Sequence, residues 1–148
     1  ELQTVTTYCQ SFDLIVSNPP YFPLNLTANK QNQHKADLPR IVARQTSSLD
    51  HHELLKYVNV YLSASGYFYC VLPSDAGEKF IAAAALCGLY CQRQLQVQTH
   101  ANGKASRLLL KFSRTQCCPQ INQLTIYDKD KHYSLAYISL CKAFYLRF

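Results

Sequence analysis

The chain has no methionine, only four glycines and no pair of cysteines at C-x-x-C spacing. Gly66, Gly77, Gly88 and Gly103 lie too far apart for a G-x-G turn, so no glycine-rich loop within this sequence cradles a nucleotide cofactor. The seven cysteines are odd in number. Cys117 and Cys118 are adjacent, Cys87 and Cys91 stand four apart, and the histidines do not complete a tetrahedral zinc set around them. We read them as reduced cytosolic thiols, with Cys70 a small hydrophobe inside an apolar run. No apolar run approaches the roughly 20 residues that cross a bilayer, and no signal peptide stands at the start. Charged residues are sparse at 16%, against 48% hydrophobic, which excludes a disordered chain and fits a buried core in one domain.

The few charges lean one way. The formal net charge is +6 and the pI about 9.0, which favours a polyanion such as RNA as partner. The most informative stretch lies near the start, where Phe12-Asp13-Leu14-Ile15-Val16-Ser17 runs into Asn18-Pro19-Pro20-Tyr21. An apolar, β-branched run stopped by a small polar residue predicts a buried parallel strand ending in a stiff polar loop. In open α/β sheets ligands sit just beyond such strand ends. Tandem prolines remove two backbone donors and fix φ, leaving nearby carbonyls to accept hydrogen bonds. An amide, free carbonyls and an aromatic ring suit a flat substrate with an amino group. A plain rigid turn is the other reading of the same four residues.

Further on, residues 23–44 are polar and aperiodic, which predicts a lid or a substrate-contacting loop. Asp50 and Glu53 form a capping box for a helix carrying Leu54, Leu55, Val58, Tyr61 and Leu62 on one face, with Gly66 past its end. Residues 67–72 predict a second buried strand stopped by Pro73, and Ser74 caps a helix that ends at Gly88. Residues 89–99 and 107–112 predict an antiparallel pair around Gly103, residues 123–127 a weaker edge strand, and residues 134–144 a last helix.

With Asn18-Pro19-Pro20-Tyr21 after a strand, the chain resembles amino-group methyltransferases that use S-adenosyl-L-methionine. Further matching stretches are Ala43-Arg44-Gln45-Thr46, Leu49-Asp50-His51, residues 66–73, residues 107–112, residues 133–137 and Phe144-Tyr145-Leu146. In that order they resemble the bacterial tRNA1(Val) (adenine-37-N6)-methyltransferase family, from about Phe12 to the last residue. The resemblance implies an α/β, Rossmann-like class I methyltransferase fold with a reversed strand near the sheet edge. It also implies S-adenosyl-L-methionine as cofactor, tRNA as partner, no metal, and a cytoplasmic enzyme. Such enzymes carry a glycine-rich turn after their first strand and an acidic residue after the second. This chain has no such turn and begins at Glu1. We therefore expect residues 1–148 to be the C-terminal part of one methyltransferase domain, with about 90 residues upstream at roughly 30 per strand–helix unit. Modified methionines dropped from the sequence are another explanation for their absence.

Within that part, residues 12–21 are the strand and its tip, residues 22–46 the substrate loop, and residues 47–148 the remaining sheet and helices. Asn18 Oδ1 and the Pro19 carbonyl accept both protons of the amine, Pro20 stiffens the tip, and Tyr21 and Phe22 flank the base. Asn18 also borders the cofactor. Lys30, Lys35, Arg40 and Arg44 contact phosphates, or merely solvate a loop. Methylation of a release-factor glutamine is an alternative, since its amide presents a similar amino group. A non-catalytic RNA-binding module without a cofactor half is another.

Overall fold

A computed structural model describes residues 11–19 and 51–145. Among the described residues, five strands form one mixed sheet in the order β1-β2-β4-β3-β5. They are β1 (Phe12–Ser17), β2 (Leu62–Pro73), β3 (Tyr90–His100), β4 (Ala105–Ser113) and β5 (Gln120–Tyr127), and the helices are α1 (His51–Tyr61), α2 (Ser74–Leu86) and α3 (Leu135–Cys141). β1 runs parallel to β2, and β5 parallel to β3. β4 is antiparallel to both β2 and β3 and lies between them. Four strands therefore point one way and one is reversed, so the carboxyl ends of β1, β2, β3 and β5 share one end of the sheet.

The core follows from period-2 burial in the strands and period-3.6 burial in the helices. Phe68, Cys70 and Leu72 of β2 and Leu108, Leu110 and Phe112 of β4 point to one face, where Leu54, Leu55 and Val58 of α1 and Phe80 and Ala84 of α2 meet them. Phe68, Phe80 and Phe112 pack ring against ring at 5.8–6.3 Å. Gly77 lets α2 settle against the sheet, since a Cβ there would lie 2.4 Å from Leu108 Cδ1.

Helix ends obey backbone accounting. Gly88, at φ 74°, sits in the left-handed region past α2, and its N–H donates to the Ala85 carbonyl while that of Leu89 donates to Ala84. This paired closure satisfies carbonyls that have no partner within the helix. Arg114 performs the same service for α1 from a distance. Its guanidinium donates to the Asn59 carbonyl at 2.7 Å, to Asn59 Oδ1 at 2.6 Å and to the Leu62 carbonyl at 3.0 Å.

The structure departs from the sequence reading at four points. β1 is an edge strand with exposed apolar side chains, not a buried one: Leu14 is 60% and Val16 69% exposed. Only Ile15 of this strand packs on the core, because the helices lie on one face of the sheet. β2 starts at Leu62, five residues before Tyr67, and Leu62 belongs to the strand. Its register slips between Phe12↔Leu62 and Leu14↔Tyr67, and Gly66 sits where a Cβ would press on the Phe12 carbonyl at 3.0 Å. Ser74 does not cap α2; its hydroxyl donates to the Ala105 carbonyl at 2.6 Å and ties the end of β2 to the start of β4. Finally, α3 is shorter than residues 134–144, with Ser134 as its N-cap. The capping residue Asp50 and the loop at residues 23–44 lie outside the described residues.

Candidate functional site

β1 delivers Asn18 and Pro19 to the carboxyl end of the sheet. Its parallel register sets Ser17 opposite Cys70, so the tip emerges beside the last turn of β2 and the start of α2. Asn18 is exposed and Pro19 is buried. The tip is thus anchored at the buried Pro19, with the exposed Asn18 beside it. Pro20, Tyr21, Phe22, Lys30, Lys35, Arg40 and Arg44 lie outside the described residues. The two described members of the predicted set thus stand together at the expected strand end.

Cations share that end, among them Arg107 and Lys104 beside β2. Pro73 pairs with Arg107, which places Arg107 one strand from β2's carboxyl terminus, and Lys104 lies in the turn just before β4. Both are exposed. Lys111 is set further back on the sheet, its Nζ 3.6 Å from the centre of the Tyr67 ring. Lys111 thus stands apart from the other two. His51 lies edge-on against Phe80 at 5.2 Å, a packing contact.

The thiols divide by burial. Cys70 lies inside β2 in the core, and burial pushes its thiol up to about 12. Cys91 rises to about 11, again chiefly through burial, partly offset by a hydrogen bond with the Arg93 backbone. Neither ionises near neutral pH, so neither is a nucleophile or a ready metal ligand. Among the described residues, no three His, Cys, Asp or Glu side chains converge as a metal site. Among the same residues, no helix is long and apolar enough to cross a membrane.

One cluster escaped the sequence reading. His100, Tyr127, Tyr133 and Tyr137 form a row of rings with successive centroids 5.6, 5.0 and 5.3 Å apart and interplanar angles of 31°, 22° and 25°. His100 and Tyr127 are paired residues at the carboxyl ends of β3 and β5. The row therefore begins at the same end of the sheet as Asn18.

No family model matches the chain. It is 39% identical over 164 residues to the tRNA1(Val) (adenine(37)-N6)-methyltransferase of Pseudoalteromonas atlantica, a match covering 99% of this chain and 61% of that protein. The protein of the same name from Haemophilus influenzae strain PittEE is 37% identical over 142 residues, covering 96% of this chain and 56% of its own length. Over nearly its whole length the chain is similar in sequence to this family. It spans only a little over half the length of the relatives it matches. Among solved structures, a predicted O-methyltransferase from Agrobacterium tumefaciens superposes with a TM-score of 0.53 at 12% identity, covering 88% of this chain and 50% of that one. That likeness concerns the fold and agrees with the Rossmann-like α/β expectation, while the reversed strand, expected near the sheet edge, is the third of the five described strands.

Proposed function

We propose that this chain supplies the substrate side of an enzyme that methylates the exocyclic N6 amine of adenine in tRNA, at the adenine 3′ of the anticodon in valine tRNA, with S-adenosyl-L-methionine as donor. The observation that carries the reading is the Asn18-Pro19 tip at the carboxyl end of a parallel strand, in a chain matched nearly end to end by relatives of that name. The adenine amine is a poor nucleophile because its lone pair is delocalised into the ring. Accepting hydrogen bonds from both its protons, at Asn18 Oδ1 and the Pro19 carbonyl, frees the nitrogen to pyramidalise toward an electrophile. Pro20 keeps the Pro19 carbonyl fixed, so little entropy is lost on binding. Tyr21 stacks on the extruded base and Phe22 closes its other side, each contact worth about 1–3 kcal/mol. The acceleration is chiefly positioning.

The cofactor supplies a methyl group on a sulfonium centre. The four glycines of this chain provide no cradle for it. Gly66 faces the Phe12 carbonyl, Gly77 faces Leu108, Gly88 ends α2 and Gly103 sits in the β3–β4 turn, so every glycine is committed to packing or to a turn. Asn18 is the one proposed contact on this side, and we derive no step through the donor. Lys104, Arg107, Lys35, Arg40 and Arg44 meet the phosphates. The setting is cytoplasmic, and residues 1–148 act as the C-terminal part of one methyltransferase domain.

In the native full-length protein, Asn18→Ala lowers kcat at least a hundredfold while tRNA affinity changes less than threefold, about the loss of one positioned hydrogen-bonding group. Arg44→Ala weakens tRNA binding and flattens its dependence on salt. Radiolabelled methyl transfer into tRNA against release factor separates the substrates, and label entering protein alone sinks the tRNA reading. Equal affinity losses from both substitutions mean that the two roles are misassigned.

A further inference from the structure

The ring row at the far edge of the sheet lies outside the core cluster, and its neighbours say what it meets. Packing alone does not account for it: a row that served the fold would be buried, whereas His100 and Tyr133 are exposed. It is also rigidly built. After β5, the Asp128 carboxylate accepts the backbone N–H of Asp130 and of His132, each at 2.9 Å, and Lys131 takes the left-handed conformation at φ 64°. The tight turn folds Tyr133 back beside Tyr127, and the two residues pair as an antiparallel bridge. Ser134 then fixes the next step. Its hydroxyl donates to the Thr125 carbonyl and accepts the N–H of Tyr137 at 3.1 Å, which starts α3 and stacks Tyr137 on Tyr133. The rings are held before any ligand arrives, so binding loses little side-chain entropy.

The charge around the row is positive. Lys129 and Lys131 are exposed on the turn, Lys142 lies at the end of α3, and Lys104 lies in the turn after His100. Against them stands the exposed Asp130, while the Asp128 carboxylate already serves two backbone amides. Aromatic faces with interleaved cations suit unpaired nucleobases, because every base has a π-face and every nucleotide a phosphate. Position completes the case. The row begins with His100 at the carboxyl end of β3 and the tip lies at the carboxyl end of β1, three strand spacings away in the same sheet, about 14 Å. At roughly 3.4 Å per stacked nucleotide, that distance is spanned by about four nucleotides of one strand.

We propose that His100, Tyr127, Tyr133 and Tyr137 form a stacking platform for unpaired RNA bases, holding the strand that carries the target adenine. A base stacks on the outer face of His100 and prolongs the row, while Lys104, Lys129 and Lys131 take its phosphates. This rests on the tRNA reading of the site, and the experiment separates the two.

The native full-length protein is titrated against a fluorescently labelled RNA stem–loop and against a blunt RNA duplex of the same stem, with anisotropy as readout. The stem–loop binds more tightly than the duplex. His100→Leu and Tyr133→Leu each weaken stem–loop binding about tenfold and leave duplex binding within about twofold, as expected for one lost base stack. The aromatic replacements His100→Tyr and Tyr133→Phe stay within about threefold of the parent, which a merely structural role for either ring does not predict. Parent-like affinity in both leucine variants overturns the platform. Equal loss in leucine and aromatic variants overturns it as well, as does equal binding of stem–loop and duplex. Reduced self-association in the leucine variants with unchanged RNA affinity assigns the row to a protein contact instead. Methyl transfer to tRNA is measured on the same samples. Turnover with affinity indifferent to the row rejects the platform alone, whereas absent turnover with the aromatic dependence intact rejects the methylation reading alone.

Discussion

At the residue scale, access to water separates the thiols. Cys70 is enclosed by the core, and its thiol is pushed up to about 12, while Cys117 and Cys118 are exposed. The thiolate is the reactive form, and a group that ionises only in strong base is inert at neutral pH. Brief alkylation of the folded protein at pH 7.5 is expected to modify Cys117 and Cys118 and to spare Cys70, read by mass spectrometry of peptides. Rapid labelling of Cys70 without denaturant contradicts its burial. The same shift links stability to pH. The folded pKa lies above the unfolded value of 9.0, so below pH 9 both states hold the proton and the contribution is constant. Above it the unfolded state ionises first, and stability falls with a slope of up to about 1.4 kcal/mol per pH unit until pH approaches 12. Urea midpoints of the parent and Cys70→Ala measured from pH 8 to 10.5 check this, since the parent has the steeper decline.

At the scale of elements, two contacts decide how the helices sit. A Cβ at Gly77 would lie 2.4 Å from the Leu108 side chain, which is itself almost wholly buried. Gly77→Ala is expected to cost about 1–3 kcal/mol despite alanine's better helix propensity, because overpacking outweighs the roughly 1 kcal/mol gained within the helix. Arg114→Ala leaves the Asn59 and Leu62 carbonyls without their charged donor, a loss of about 1–2 kcal/mol at this partly exposed site. Denaturant unfolding of both variants measures these costs, and an Arg114→Ala protein as stable as the parent removes the capping role. Elements governed by local pattern were legible in the sequence: the core face of α1, the Gly88 stop, the β3–β4 pair and the strand leading to Asn18. Those set by distant partners were not. Leu62 fits a helical stripe, yet pairing with Phe12 draws it into β2. Ser74 has the chemistry of a cap, yet its hydroxyl finds the Ala105 carbonyl, 31 residues away. The ring row has no linear signature, because His100 reaches Tyr127 only through the parallel pairing of β3 with β5, and Tyr133 returns only through the Asp128 turn.

At the scale of the whole molecule, the sheet is clothed unequally. One face carries α1, α2 and the aromatic core; on the other, the register sets Leu14 beside Tyr67 and Val16 beside Tyr69, with Leu109 on the adjoining strand β4. All five side chains are exposed. Lys111 is the cation that reaches over this face, and its ammonium lies over the Tyr67 ring. Among the described residues β1 also ends the sheet, and an apolar edge strand is a template for pairing with another chain. The net charge of +6 opposes association through repulsion, but only over about 8 Å at physiological salt. The 148-residue chain is therefore expected to self-associate as concentration rises, and more strongly in added sulfate, which screens the repulsion and strengthens apolar burial. Replacing Leu14 by Lys and Val16 by Thr keeps the strand propensity of the second position while breaking the patch at its edge. Sedimentation velocity is expected to show the double variant monomeric where the parent is not, with unchanged far-UV circular dichroism. Association that weakens as salt is added points to ion pairs instead of this face, and a parent monomeric throughout the titration shows that the patch is too small to drive contact.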